Sequence, residues 1–186
     1  MSIQRLQKAY ELEKEILGIA GRKCPEAVIQ QAEAELGVSF PPSYRYFLEH
    51  ISLNTTTPLI GVDIDENENI LLPTAVVSVT KSFRRRLNYS LPPQYILINM
   101  YARDVKHVLD TTSVTESGEC KVLGWLGGHF FESDYPDLDA LYLTLVNATI
   151  NSLIIDKAGE GTLTQQEVKD YFSLHRRLGL SDRRMT

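Results

Sequence analysis

The order of hydrophobic patterns along the chain is the feature that most limits its fold. Apolar residues recur at three- and four-residue intervals near both ends of the chain, a period typical of amphipathic helices. Between these regions lie three short runs rich in Val, Ile and Leu, at residues 95–100, 106–110 and 121–125. Short apolar runs separated by turn residues predict an antiparallel meander. The sequence therefore predicts an α+β fold, in which helices flank a mostly antiparallel or mixed sheet.

Several predicted elements have recognisable ends. Pro25 suits the first turn of a helix and Gly37 suits a helix stop, while Thr164 and Glu167 have the spacing of a capping box. The segment at residues 71–88 is ambiguous, because its Val and Thr content favours a strand whereas its apolar spacing favours a helix. We predict a helix over residues 74–87. The predicted helices span residues 2–17, 25–37, 43–51, 74–87, 138–153 and 164–178, and a further strand is predicted at 59–64.

Composition and charge exclude several classes of function. The 186 residues, 43% of them hydrophobic, suit a single domain with its own core. The 19 basic and 24 acidic residues give a net charge of −5, which disfavours direct nucleic-acid binding because nucleic-acid binders are usually basic. No apolar run approaches the roughly 20 residues of a membrane helix, and the charged N-terminus lacks the apolar core of a signal peptide. We therefore expect a cytoplasmic protein without membrane contact.

The residues that carry chemistry give no catalytic or metal-binding motif. Cys24 and Cys120 lie far apart without metal-ligand spacing, so we expect reduced thiols and no metal or cofactor. His129, Glu132 and Asp134 follow a pair of glycines and leave an enzyme as one alternative. However, the chain contains none of the common phosphate-loop or nucleophile motifs. A turn that closes a hairpin is the simpler interpretation of the glycines.

Acidic residues are concentrated in two stretches on either side of the predicted strands. The first stretch begins like a calcium loop but lacks the glycine and the final glutamate that such a loop needs, which favours an exposed acidic turn. Segregated acids suit a face that attracts a basic partner. The predicted partner-binding residues are Asp63, Asp65, Glu66 and Glu68 in the first stretch, and Glu132, Asp134, Asp137 and Asp139 in the second.

Two blocks of sequence resemble the SUKH superfamily, also described as Smi/Knr-like. The first block runs from the second predicted helix into the third, and the second block comprises the strand runs and ends in Val122 and Trp125. Together they cover about residues 25–153, which leaves helices 2–17 and 164–178 as extensions of a single domain over 1–186. The residues that match the family signature are Ile29, Glu33, Leu36, Gly37, Pro41, Tyr44, Phe47 and Leu48.

The resemblance implies an α+β fold and a function that is mostly non-enzymatic. Bacterial members of the superfamily resemble antidotes, each of which binds a cognate toxin and blocks its active site. The resemblance therefore predicts an immunity protein for a nuclease-like or other nucleic-acid-modifying toxin domain. The alternative is a regulatory or scaffolding module of the Smi/Knr type, and the sequence leaves the oligomeric state open.

Overall fold

The computed structural model describes residues 2–17, 23–53, 57–63, 69–72, 74–102 and 105–178. Over these residues the chain has an α+β fold, which confirms the predicted class. The helices are α1 (Ser2–Leu17), α2 (Glu26–Leu36), α3 (Pro42–His50), α4 (Ala75–Arg84), α5 (Leu138–Gly159) and α6 (Gln165–Leu178). The strands are β1 (Tyr95–Ala102), β2 (Val105–Val114), β3 (Cys120–Leu126) and β4 (His129–Glu132).

The four strands form one antiparallel sheet in the order β1-β2-β3-β4. The three predicted strands are confirmed, and so is the turn at Gly127 and Gly128, whose φ angles of 55° and 88° suit glycine. The turn leads into β4, which the sequence analysis did not identify as a strand. Its Phe131 lies opposite Gly124 and covers it so closely that a Cβ atom at Gly124 would lie 2.3 Å from the ring.

The strand predicted at residues 59–64 is wrong over the residues that the structure describes. Only Leu59 bridges to Asn99 of β1, supported by a 2.8 Å hydrogen bond from the Ile60 N–H to the Ile98 carbonyl. The main chain then turns towards α4, and its Gly61 carbonyl accepts a 3.0 Å hydrogen bond from the first turn of that helix. The extended chain therefore has too little contact with β1 to continue as a strand, and Ile64 lies outside the described residues.

Helices α2 and α3 meet at a sharp corner that local residues determine. Gly37 ends α2 in the left-handed conformation with a φ of 68°, and its N–H donates to the Glu33 carbonyl over 2.8 Å. Pro42 then occupies the first turn of α3, as proline often does. Tyr44 and Phe47 of α3 are fully buried, and the Phe47 ring packs edge-on against Tyr142 of α5.

Helix α4 lies along the outer edge of β1 and ends earlier than predicted. The Thr80 hydroxyl accepts a hydrogen bond from the Leu97 N–H, which covers the edge of the strand. The helix ends at Arg84 rather than at Leu87, whose side chain is fully exposed. Arg84 donates to the Leu36 carbonyl over 2.8 Å and also to main-chain carbonyls of the Pro93–Tyr95 segment. It thereby connects the end of α2 with the start of β1.

Helix α5 continues six residues beyond the predicted end and has two unlike halves. Its N-terminal half supplies buried residues to the core and packs against α1. Its C-terminal half is mostly exposed, including Leu153 and Ile155. By length and composition alone, α5 meets the requirements of a membrane-spanning helix, which the sequence analysis did not anticipate. The burial of its N-terminal half is what a core helix requires.

Helix α6 follows α5 after a short turn and is held by local contacts. The predicted capping box is present, since the Glu167 N–H donates to the Thr164 hydroxyl over 3.2 Å and the Thr164 N–H donates to the Glu167 carboxylate over 2.8 Å. Glu167 also forms an ion pair with Lys157 of α5.

Candidate partner-binding surface

The first predicted acidic stretch is described only at its start. Asp63 is exposed and follows the segment that bridges to β1. Asp65, Glu66 and Glu68 lie outside the described residues. Asp63 therefore stands as the one described carboxylate of this predicted set, and its main-chain carbonyl accepts a 2.9 Å hydrogen bond from Leu71.

The four acids of the second stretch occupy different environments. Glu132 and Asp134 are exposed, and Glu132 forms a 2.7 Å ion pair with Lys121 on the neighbouring strand. Asp134 lies near His107, where its charge opposes the decrease that burial causes in the pKa of the imidazole. Asp137 is half-buried and caps α5 by accepting a 2.8 Å hydrogen bond from the Ala140 N–H. These acids therefore contribute only two exposed carboxylates, one of which is already paired.

Asp139, the fourth acid, faces the protein interior. Its side chain is 2% exposed, and neither carboxylate oxygen has a hydrogen-bond partner among the described residues. Burial, together with the negative charges of Asp137 and Glu119, raises the pKa of Asp139 to about 7, while Arg5 opposes this increase. In this conformation Asp139 is closed to a partner. Its spacing from the buried Tyr142 and Val146, three and seven positions later, is the sequence signal that marks it as inward-facing.

Glu119, which the sequence analysis did not single out, has a structural role. Helix α3 begins at two prolines without a capping side chain of its own. The Glu119 carboxylate, from the turn before β3, supplies that cap by accepting hydrogen bonds from the N–H and the hydroxyl of Ser43. Glu119 is 8% exposed, so its charge serves the fold and contributes little to the surface.

An open groove of about 520 Å³ lies beside the corner between α2 and α3. One wall is the corner itself, and the other comprises Pro93 and Gln94 just before β1, the end of β2 and the residues that lead into β3. No residue of the lining is charged. The lining residues are Gly37, Val38, Ser39, Phe40, Pro41, Pro93, Gln94, Thr111, Thr112, Val114, Gly118 and Cys120. Grooves of this size with an apolar floor and a few polar groups are typical binding sites for ligands or peptide segments.

The described residues bring together no catalytic constellation of the kind that the enzyme alternative required. His129 and Glu132 are three positions apart on β4, so their side chains lie on opposite faces of the sheet. Burial raises the pKa of the Cys120 thiol in the groove to about 11, which keeps it protonated and unreactive at neutral pH. Across the part of the chain that the structure describes, no group of three or more His, Cys, Asp or Glu side chains is placed to hold a metal ion.

Comparison with known families gives one match that covers most of the chain. The profile of SUKH_5, the SMI1-KNR4 cell-wall family, matches residues 1–146, which is more than three quarters of the sequence. The chain belongs to the SUKH superfamily. The match agrees with the α+β fold, the antiparallel sheet and the flanking helices described above. A search of curated proteins found no match.

The extent of the SUKH match differs from the region that the sequence motifs covered. It begins at residue 1 and so includes α1, which the motifs left outside. It ends at residue 146, inside α5, whereas α6 lies wholly beyond it. SUKH proteins are generally non-enzymatic, and the groove adjoins the corner at Gly37 and Pro41 that belongs to the superfamily signature.

Proposed function

We propose that this SUKH protein is a cytoplasmic immunity protein that binds a cognate toxin domain and neutralises it without catalysis. The observation that carries the proposal is membership of the SUKH superfamily, which includes immunity proteins. The toxin that suits this chain is a nuclease-like or other nucleic-acid-modifying domain. Such a toxin needs a basic site to attract phosphates, and a protein with a net charge of −5 is electrostatically complementary to that site.

Three carboxylates of the predicted set are accessible to a partner. Asp63, Glu132 and Asp134 are exposed, although Glu132 is partly neutralised by Lys121. Exposed charges of this kind act mainly by steering a partner, which increases the association rate at low salt. Affinity then depends on the apolar contacts formed in the complex, and the groove provides a surface for such contacts.

The test has two parts, a search for the partner and an assay of neutralisation. The purified full chain serves as bait in a lysate of its source cells at low and moderate salt. The captured candidate is then expressed in a host with and without this protein. A single stoichiometric partner whose toxicity is abolished by co-expression would support the proposal. A captured partner that is not toxic, or whose toxicity persists, would refute it.

Charge reversals examine the electrostatic part of the proposal once the partner is known. Asp134→Lys should decrease the association rate constant at low salt and weaken its salt dependence. Asp170→Lys on α6 changes the net charge equally, at an exposed site far along the chain, and serves as the matched control. Equal effects of the two variants would contradict a localised acidic face, although a stoichiometric, neutralising complex would still support immunity.

A regulatory or scaffolding module is the second candidate, because the matching family carries the description SMI1-KNR4 cell-wall. This function predicts several partners of moderate affinity rather than one tight complex. The capture experiment separates the two, since several substoichiometric partners at both salt concentrations would favour the regulatory module.

A further inference from the structure

The groove lies beside the last residues of β2, where that strand is paired with β3 but has no partner strand on the β1 side among the described residues. The pairing of β1 with β2 begins at Tyr95 and Asp110. One residue further along β2, the Thr111 N–H donates a 3.2 Å hydrogen bond to the Gln94 carbonyl, which is the last main-chain hydrogen bond between the two segments. The residues before Gln94 are two prolines, which cannot donate main-chain hydrogen bonds and so disfavour a longer β1. Strand β2 nevertheless continues to Val114. Within the described part of the chain, no strand accompanies this last part of β2 on the β1 side.

The lining of the groove suits an apolar side chain that enters between polar rims. Phe40 and Cys120 are 4% and 5% exposed and form part of the floor. Thr111, Thr112 and Val114 of β2 line the groove, whereas Ser113 does not. The cavity of about 520 Å³ is larger than a single side chain, so it also has room for the main chain of an extended segment.

The charges beside the groove favour a basic occupant. The β2–β3 hairpin carries the carboxylates of Asp110 and Glu116 within two positions of lining residues, against Lys121 alone. Glu119 is buried in its contact with Ser43, and Arg84 on the opposite side already donates to main-chain carbonyls. Lys121 is already paired with Glu132. A positive charge next to the groove would therefore meet acids that are not balanced by a free cation of the same hairpin.

We propose that the groove binds an extended segment of the partner protein, which inserts a bulky apolar side chain and places a Lys or Arg beside the β2–β3 hairpin. The segment lies alongside residues 112–114 in the position that a longer β1 would occupy, which is the β-strand addition mode of peptide recognition. The inference deepens the proposed function and rests on it, because it identifies the surface and the type of segment through which the partner binds.

A phage-displayed library of random twelve-residue peptides tests the groove without knowledge of the partner. Selection on the full chain should enrich peptides with one bulky apolar residue next to a basic residue. Val114→Arg places a charge in the lining and should weaken the binding affinity of these peptides by about tenfold or more. This is the size of effect expected when one anchor side chain can no longer be accommodated. Ser113→Arg adds the same charge on the neighbouring, non-lining position and should change the affinity much less, by about twofold.

Thiol reactivity gives a second readout that depends on occupancy. In a Cys24→Ala variant, Cys120 is the remaining thiol. At an alkaline pH of about 9–10, where part of this thiol is ionised, an enriched peptide should slow its reaction with a disulfide reagent. Thermal unfolding of the arginine variants confirms that both are folded. The inference is overturned if no peptide is enriched, if Val114→Arg and Ser113→Arg bind equally well, or if bound peptide leaves the reaction of Cys120 unchanged.

The outcome for the groove is separable from the outcome for immunity. If a toxin is captured and neutralised equally well by wild type and Val114→Arg, the groove inference fails and the proposed function stands. If the selected peptides bind as described but no toxin is neutralised, the groove inference stands and the proposed function fails.

Discussion

The buried Asp139 leads to a specific prediction about how stability depends on pH. Its pKa is raised from 3.8 to about 7 because the folded protein removes the carboxylate from water without a hydrogen-bond partner among the described residues. The folded state therefore holds the proton more tightly than the unfolded chain. Stability from this group is fully present below about pH 4, and it is lost as the pH rises towards about 7. The substitution Asp139→Asn removes the titration while preserving the shape of the side chain.

The size of the effect follows from the shift in pKa. A difference of about 3 pKa units corresponds to about 4 kcal/mol at about 1.36 kcal/mol per unit, and relaxation around the carboxylate makes this an upper bound. The Asn side chain also lacks partners at this site, which adds a constant cost to the variant. That cost cancels when each protein is compared with itself at two pH values. The loss of stability between pH 4 and pH 8 should therefore be about 2–4 kcal/mol larger for wild type than for Asp139→Asn.

The assay is urea unfolding of both proteins at intervals from pH 4 to pH 8. The free energy of unfolding of wild type minus that of Asp139→Asn should decrease as the pH rises from 4 and become constant above about pH 8. Asp63→Asn, which neutralises an exposed carboxylate, is the matched control and should follow the wild-type curve. Parallel curves for wild type and Asp139→Asn would refute the reasoning, because they would show that the carboxylate is equally solvated in the folded and unfolded states.

Three further predictions concern the fold. Glu119→Ala should destabilise the protein by about 1–3 kcal/mol in thermal or urea unfolding, because the Ser43 N–H at the start of α3 loses its acceptor; an unchanged stability would contradict the capping role. Gly124→Ala should destabilise wild type but much less in a Phe131→Ala background, since the Cβ atom meets that ring, and a double-mutant cycle measures the coupling. Thr164→Ala should increase hydrogen exchange in α6 alone; equal increases in the sheet would argue against a local capping effect.

Elements with local signals were predictable from the sequence. Gly37 ends α2 in the left-handed conformation that favours glycine, and Thr164 and Glu167 form the capping box that their spacing predicts. The failed strand at residues 59–64 has a different cause. A strand needs a partner along its length, and the bridge between Leu59 and Asn99 is a single contact that no local pattern specifies.

The candidate surface was less predictable, because it depends on how separate elements meet. Asp137 and Asp139 are two positions apart and both acidic, yet one caps α5 and the other is buried in the interior. Helical periodicity from Tyr142 marks the difference, whereas charge alone conceals it. The groove was not predicted, because it arises where the part of β2 that extends beyond β1 faces the corner between α2 and α3; Pro92 and Pro93 mark only where β1 begins.

The position at which the SUKH match ends has a consequence for how this gene can recombine. The match ends at residue 146, but Ile150, one turn further along α5, is 2% exposed and belongs to the core. A crossover that joined two SUKH genes at the family boundary would replace part of the interior together with the C-terminal helices. Exchange of those helices as a module therefore requires a junction before Asp137 or after Gly159, outside the continuous helix α5.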